Sequence, residues 1–333
     1  MNQETITLDH GSGGEKTARL IGELLRPAFS NPALEAMGDG AVLPGMAGEL
    51  AFSTDSFVVS PLVFPGGDIG KLAVCGTVND LAMCGAEPKW LSCSLILEEG
   101  LSMDTLRTVV DSLARTAREV GVQVVTGDTK VVERGKGDGI YINTAGIGVV
   151  KAKLSPKDIR VGDAVLVTGP IGDHGAAVML ARNDLGLIAD VRSDCMPLHL
   201  LARAAWETGG VRCLRDATRG GVATTLTEFT EGQSFGIQLW EQKLPIRAQV
   251  RAACEMLGLD ALYCANEGRM LAIVAPEKML SVLGALRKLP GGEEACQIGI
   301  VTEKFAGKVV LENELGAHRI LSKLTGAQLP RIC

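Results

Sequence analysis

Apolar residues along this chain fall into short aliphatic runs with two different periods. Runs at 50–59, 90–97, 122–126 and 140–150 are strand-like, being rich in Val, Ile and Leu and too short for helices. Segments 71–84 and 104–120 carry a helical period, the first apolar on most faces and the second on one. Residues 151–162 are polar, with Pro156 and Gly162, and read as a linker. The pattern then resumes, with strands at 164–168, 270–275, 296–301 and 308–311 and helices at 176–185, 197–208 and 276–289. A further helix opens at Gly220-Gly221. Neither half keeps a strict βαβ rhythm, so the expected class is α+β, built as α/β layers, and not a doubly wound sheet. The expected units are 1–150, 163–312 and a tail over 313–333.

Composition sharpens this picture. A chain of 333 residues with 46% hydrophobic content can bury two cores. Aromatics are 4% and Gly numbers 41, so the cores are aliphatic and the backbone turns tightly at many places. A formal charge of -6 argues against nucleic acid as a partner. No apolar run reaches membrane-spanning length, and Met1 to Asp9 is too polar for a signal peptide. Nine Cys, an odd number without any Cys-x-x-Cys, fit reduced thiols in the cytoplasm, and Cys75, Cys84 and Cys93 read as small buried hydrophobes.

Four acids sit on or beside apolar segments: Asp39, Asp55, Asp80 and Asp216. A carboxylate in such a setting needs a partner or a cation. Each alone reads as a cap or turn, but together with several glycine-rich loops they fit magnesium and phosphate. The loop His10-Gly11-Ser12-Gly13-Gly14 precedes a helical pattern and can wrap an anion with backbone N–H groups. The stretch from Phe64 to Lys71 only imitates a phosphate-binding P-loop, since Pro65 stands where its first Gly belongs and Leu72 where Ser or Thr should be. The chain ends in Cys333. Residues 325–328 read as loop, and Pro330 stiffens the approach into an extended hook carrying a thiol.

Taken in order, Ser53-Thr54-Asp55-Ser56, Phe64 to Lys71, Asn79-Asp80, Thr126-Gly127-Asp128-Thr129-Lys130, Asp216 to Gly221, Asn266-Glu267-Gly268 and terminal Pro330-Arg331-Ile332-Cys333 resemble the HypE family. These are maturation proteins that make the cyanide ligands of NiFe-hydrogenase. The wider likeness is to aminoimidazole ribonucleotide synthetase, selenophosphate synthetase and thiamine-phosphate kinase. It covers nearly the whole chain and implies a two-domain fold with a flexible C-terminal tail, an ATP-binding and dimerising N-terminal domain, and no P-loop.

The resemblance implies an ATP-dependent dehydration. A carbamoyl group loaded on Cys333 by the carbamoyltransferase HypF would become a protein thiocyanate, then pass to a HypC–HypD complex. Lys130 and Glu267 would move protons. Asp39, Asp55, Asp80 and Asp216 would serve Mg2+. Gly13, Gly14, Asp55, Gly67, Lys71, Asp128, Thr129, Asn143, Asp216, Arg219 and Gly220 would bind ATP. The expected assembly is a homodimer joined through strands of residues 50–150. The tail is expected to enter and leave the site with few permanent contacts. Two alternatives stand beside this reading. One is a non-catalytic, ATP-gated carrier. The other is a selenophosphate synthetase-like enzyme, against which the loop from His10 to Gly14 lacks a reactive Cys.

Overall fold

The computed structural model describes residues 4–36, 38–182, 189–324, 326 and 331–333. A short helical region comes first, α1 (Glu15–Leu20), a π-helical turn at Ile21–Leu25, α2 (Arg26–Phe29) and α3 (Pro32–Glu35). Strand β1 (Leu50–Phe57) and a small hairpin, β2 (Val63–Phe64) with β3 (Gly67–Asp68), lead into α4 (Ile69–Met83). Asp68 caps α4 by accepting from the amides of Gly70 and Lys71. Then follow β4 (Ala86–Glu98), α5 (Met103–Val120), β5 (Gln123–Val132) and β6 (Ile140–Val150). Ser102 opens α5, and Gly121 ends it in the left-handed conformation that its position requires.

These strands form a sheet in the order β1-β6-β4-β5, antiparallel except for β4 with β5. Period-2 alternation sorts its faces. In β6, Ile140, Ile142, Thr144 and Gly146 are buried on the side covered by α4. The opposite side carries Phe52, Trp90, Ile96, Tyr141 and Ile147, and Phe52 is 69% exposed.

The second half contributes β7 (Ala164–Val167), α6 (Asp173–Arg182), α7 (His199–Thr208), β8 (Val211–Asp216), α8 (Gly221–Thr230), β9 (Gly236–Trp240), α9 (Ala248–Leu257), β10 (Met270–Val274), α10 (Met279–Leu286), β11 (Cys296–Thr302), β12 (Val309–Glu312) and β13 (His318–Leu321). Its sheet runs β13-β12-β9-β11-β7-β10-β8, and only β12 with β9 is parallel. The central strands are buried on both faces. Val165 and Val167 pack into one core with α8, while Ala164 and Leu166 pack into another with α7 and α10. That is why β7 and β10 read as unbroken apolar runs. Among the described residues no helix is long and apolar enough to cross a membrane.

The two halves interlock. Asn79 of α4 accepts from Leu198 N at 2.7 Å and donates to Met196 O at 3.2 Å. Val178, Cys195, Ala265 and Ile332 complete the core beneath the first sheet.

Three expectations need correcting. Sheet pairing continues past residue 312, because β13 adds an edge strand to β12 and Tyr263 Oη donates to Ser322 O at 2.9 Å. Only Leu321 of β13 is buried, so its sequence carries almost no strand pattern. Strands β8 and β9 are also present where no strand was expected. Cys84 is exposed, although Cys75 and Cys93 are buried as expected. The expected hook at Leu329-Pro330 lies outside the described residues.

Candidate active site

Three of the four singled-out acids meet where the first sheet faces the second half. Asp55 projects from β1 toward α4. Gly76 leaves it room, since a Cβ there would stand 2.8 Å from the Phe57 ring and 4.0 Å from Asp55 Oδ2. Asp80 lies one turn further along the same helix face and accepts from Ser53 Oγ at 2.6 Å. Asp216 ends β8 opposite Met270 of β10. Burial, then the neighbouring Asp80, pushes the Asp55 carboxyl up to about 6, and Arg219 opposes this. Burial and Asp80 push Asp216 up to about 7. Mutual repulsion of this kind is what a cation relieves. Among the described residues no three such side chains converge into a cage that holds an ion alone. The set therefore fits an ion that brings its own oxygen ligands, as Mg2+ on a nucleotide does.

Glu267 borders the same site and is 2% exposed. Its Oε1 has no hydrogen-bond partner among the described residues. Burial first, then Cys195, Asp216, Asp194 and Asp55, hold its carboxyl well above the usual range. Asp194 Oδ1 accepts from the Glu267 amide at 3.0 Å and fixes the backbone there.

The chain end comes to this place. Burial raises the Cys333 thiol above its ordinary range, with Glu267 the largest charged contributor and Arg219, Asp55 and Asp216 also acting on it. The chain end is docked by specific contacts. Ile332 is buried in the first core, and its carbonyl lies 2.8 Å from His174 Nε2. The Arg331 carbonyl accepts from Arg182 Nη2 at 2.8 Å and from Ser60 N at 3.3 Å. Arg331 itself pairs with Asp138 at 2.7 Å. A tail with one apolar side chain and two bonded carbonyls has more holding it than its polar sequence suggests.

Other expected residues lie elsewhere. Asp55, Thr144, Cys93 and Gly127 stand in register across the four strands, which separates β1 from β5 by about 14 Å. Asn143 donates to Thr54, Ser56 and the Asp55 carbonyl, on the sheet face opposite α4. Asp128 and Lys130 form an exposed ion pair at 2.6 Å, and Glu267 is not part of it. Thr129, Asp128, Lys130 and Gly13 line a cavity of about 380 Å³, together with Thr17, Arg26 and Phe29. Gly14 caps α1 beside it. Asp39 is exposed between Gly38 and Gly40, which line the same cavity, and no contact joins it to the other three acids. Lys71 donates to Gly66 O at 3.1 Å, and Gly66 lies against the Ser193 backbone. Gly67 packs on the Phe64 ring, and Lys71 secures the hairpin that carries Gly66. The Gly220-Gly221 pair is required by the backbone: both have positive φ, and a Cβ on Gly221 would strike Leu262 O at 2.5 Å.

Sequence reasoning quoted Asn79 and Asn266 within motifs but gave them no role, and it missed the other supports. Asn266 precedes Glu267 and spends its amide on Gly172 N, Ala217 O and Cys264 O. Asn79 does the same work before Asp80. His174 and Arg182, which hold the chain end, carried no motif. The one available signal was a His set directly before the small and apolar run 175–181.

Comparison with known proteins places this geometry. Residues 37–150 match the AIR synthase related protein N-terminal domain, and residues 160–312 the corresponding C-terminal domain. "Carbamoyl dehydratase HypE" of Rhodobacter capsulatus is 46% identical over all of this chain and 99% of its own length. A crystal structure of hydrogenase maturation protein HypE in complex with ATP is 48% identical, with a TM-score of 0.94, covering 99% of this chain and 100% of the other. The crystal structure of a HypE–HypF complex matches at 44% identity and a TM-score of 0.80, covering 92% and 99%.

Proposed function

The chain belongs to the carbamoyl dehydratase HypE family within the AIR synthase related proteins, and from that premise we propose how its residues perform the reaction. The enzyme is an ATP-dependent carbamoyl dehydratase that serves hydrogenase maturation. The observation that carries the residue assignment is the chain end docked at this site, with Ile332 and Cys333 packed on the first core and the charges of Glu267, Asp55 and Asp216 acting on the Cys333 thiol.

An S-carbamoyl group cannot lose its oxygen as hydroxide near neutral pH. With ATP, the carbamoyl oxygen attacks the γ-phosphorus, an O–P bond forms, and ADP leaves. The nitrogen gives up one proton as C=N forms. It gives up the second as the C–O bond breaks and phosphate departs, leaving S–C≡N on Cys333. Glu267 is suited to take the first of these protons, because a buried carboxyl held above its ordinary range is a stronger base than a solvated one, and the departing phosphate carries off the second. Its unpartnered Oε1 is the accepting atom. The enclosed position keeps water from the phosphorylated intermediate. Asp55, Asp80 and Asp216 would hold Mg2+, which when bound gathers the charge of the ATP phosphates.

Lys130 and Asp128 enter this scheme through a second copy. The uncovered apolar face of the first sheet supports a homodimer. A two-fold axis along the strands would lay β5 of one copy over β1 of the other, about 10 Å apart. Lys130 and Asp128 of that copy would then face Thr54, Ser56 and Asn143 on β1 and β6, across the strand from Asp55, and the cavity with Gly13 and Thr129 would complete the nucleotide site. The partners proposed are HypF, supported by the relative's HypE–HypF structure, and a HypC–HypD acceptor. The nine unbridged cysteines support a cytoplasmic setting. The test is mass spectrometry of the carbamoylated protein incubated with ATP. The C-terminal peptide should lose the mass of one water, and retention of an intact carbamoyl group would leave only the carrier role.

A further inference from the structure

His174 is buried without a role in the chemistry above, and everything around it concerns the chain end. It sits in the first turn of α6 at 0% exposure, with Phe64 set edge-on at 5.4 Å. Its Nε2 is 2.8 Å from the Ile332 carbonyl and its Nδ1 2.8 Å from Ser193 Oγ. A carbonyl only accepts, so Nε2 carries the proton and Nδ1 accepts from the Ser193 hydroxyl. Ser193 Oγ in turn accepts from Cys195 N at 3.0 Å, and Ser193 N donates to Pro65 O at 2.7 Å. Every polar atom of this relay is used, and it works in one tautomer of a neutral ring. Burial, the largest influence on the ring, favours that neutral form.

We propose that His174 is a positioning residue that fixes the register of the chain end, holding the Ile332 carbonyl so that the next residue's sulfur enters the site that Glu267 borders. The proposal rests on the assignment of Cys333 and Glu267 above. The chain end is read mostly through its backbone. Arg182 and Ser60 take the Arg331 carbonyl, His174 takes the Ile332 carbonyl, and the Ile332 side chain fills the first core. A shift by one residue would put a charged guanidinium or a thiol in the Ile332 socket, so the side chain selects the register and the bonds to the carbonyls hold it there. His174 and Arg182 come from the second half, while Ser60 and Asp138 come from the first. The docked chain end therefore also ties the halves together.

Alkylation of the full-length protein by iodoacetamide, read cysteine by cysteine, tests this without requiring dehydration to occur. Exposed Cys84 serves as the reference, and buried Cys93 and Cys213 report unfolding. In His174→Ala, labelling of Cys333 relative to Cys84 should rise roughly tenfold, as expected for losing one buried hydrogen bond, with Cys93 and Cys213 still protected. In His174→Gln, whose amide can reach the same carbonyl, the ratio should return most of the way. An unchanged ratio in His174→Ala, or no recovery in His174→Gln, overturns the proposal. Should His174→Ala expose Cys93, Ser193→Ala decides: it leaves the imidazole in place but unanchored, and a ratio equal to wild type again overturns it. If labelling behaves as stated and the C-terminal peptide still never loses water, the fault lies in the dehydration assignment and not in the positioning role.

Discussion

Ser53 Oγ and Asp80 Oδ2 lie 2.6 Å apart, so the Asp80 carboxylate has its own donor while Asp55 and Asp216 carry the strain of the cluster. Their carboxyls are raised to about 6 and about 7, against 3.8 in an unfolded chain. Between these limits the folded protein binds more protons than the unfolded one. The stability this supplies is complete below about pH 4 and is lost as pH rises through 6 to 7. Without nucleotide, the protein should melt at a lower temperature at pH 8 than at pH 5.5. Asp216→Asn should flatten that slope and stabilise the pH 8 form, on the order of 2 kcal/mol, while ATP turnover is lost. Thermal unfolding across pH checks this, and a variant that melts lower than wild type at pH 8 would contradict it.

Phe52 pairs with Ile147 across β1 and β6 on the open face of the first sheet. Phe52→Glu would place a charge there and should break the proposed dimer without unfolding the monomer. Dehydration should fall with it, because Lys130 would no longer reach the neighbouring site. Light scattering at micromolar concentration reads the mass. A wild-type monomer, or a fully active monomeric variant, would remove the second copy from the mechanism.

Much of this architecture was legible in the sequence, and the reasons differ by element. Strands β7 and β10 are buried on both faces, so their apolar runs announced them. Strand β13 has one buried residue among four and stayed invisible. Asp55, Asp80 and Asp216 were legible because a carboxylate on an apolar element is costly without a purpose. Their meeting point was not, since it depends on α4 packing across β1 and on β8. Lys130 and Glu267 were named together from a family motif, yet the strand order sets β5 at the far edge from β1. His174 was illegible because its meaning lies in a carbonyl far along the chain.

Asn79 predicts a different kind of failure from the acids. Its side chain is 1% exposed and bridges α4 to the loop before α7. Asn79→Ala would leave the Leu198 amide and the Met196 carbonyl without that partner, which costs about 2 kcal/mol for such buried groups. The melting temperature should drop by several degrees, with dehydration impaired only as far as folded protein is lost. A wild-type melting curve together with abolished turnover would instead place Asn79 in the chemistry.

Glu267 decides whether the site is catalytic. Its carboxyl is held well above the ordinary range by burial first, which favours its protonated, neutral form. Glu267→Gln copies that neutral form in shape and charge. It should fold, bind ATP and accept the carbamoyl group from HypF like the wild type. It should not dehydrate, because an amide cannot take the first N–H proton, and the expected loss is about 10²- to 10⁴-fold. The pH dependence separates this from a loss of packing. In single turnovers the wild-type rate should climb with pH as Glu267 gives up its proton, and the small residual rate of Glu267→Gln should lack that climb. Single-turnover mass spectrometry of the C-terminal peptide from pH 6 to 9 measures both. A Gln variant that forms thiocyanate at the wild-type rate would sink the assignment, and the proton acceptor would have to be sought on β5 of the second copy, at Lys130 or Asp128.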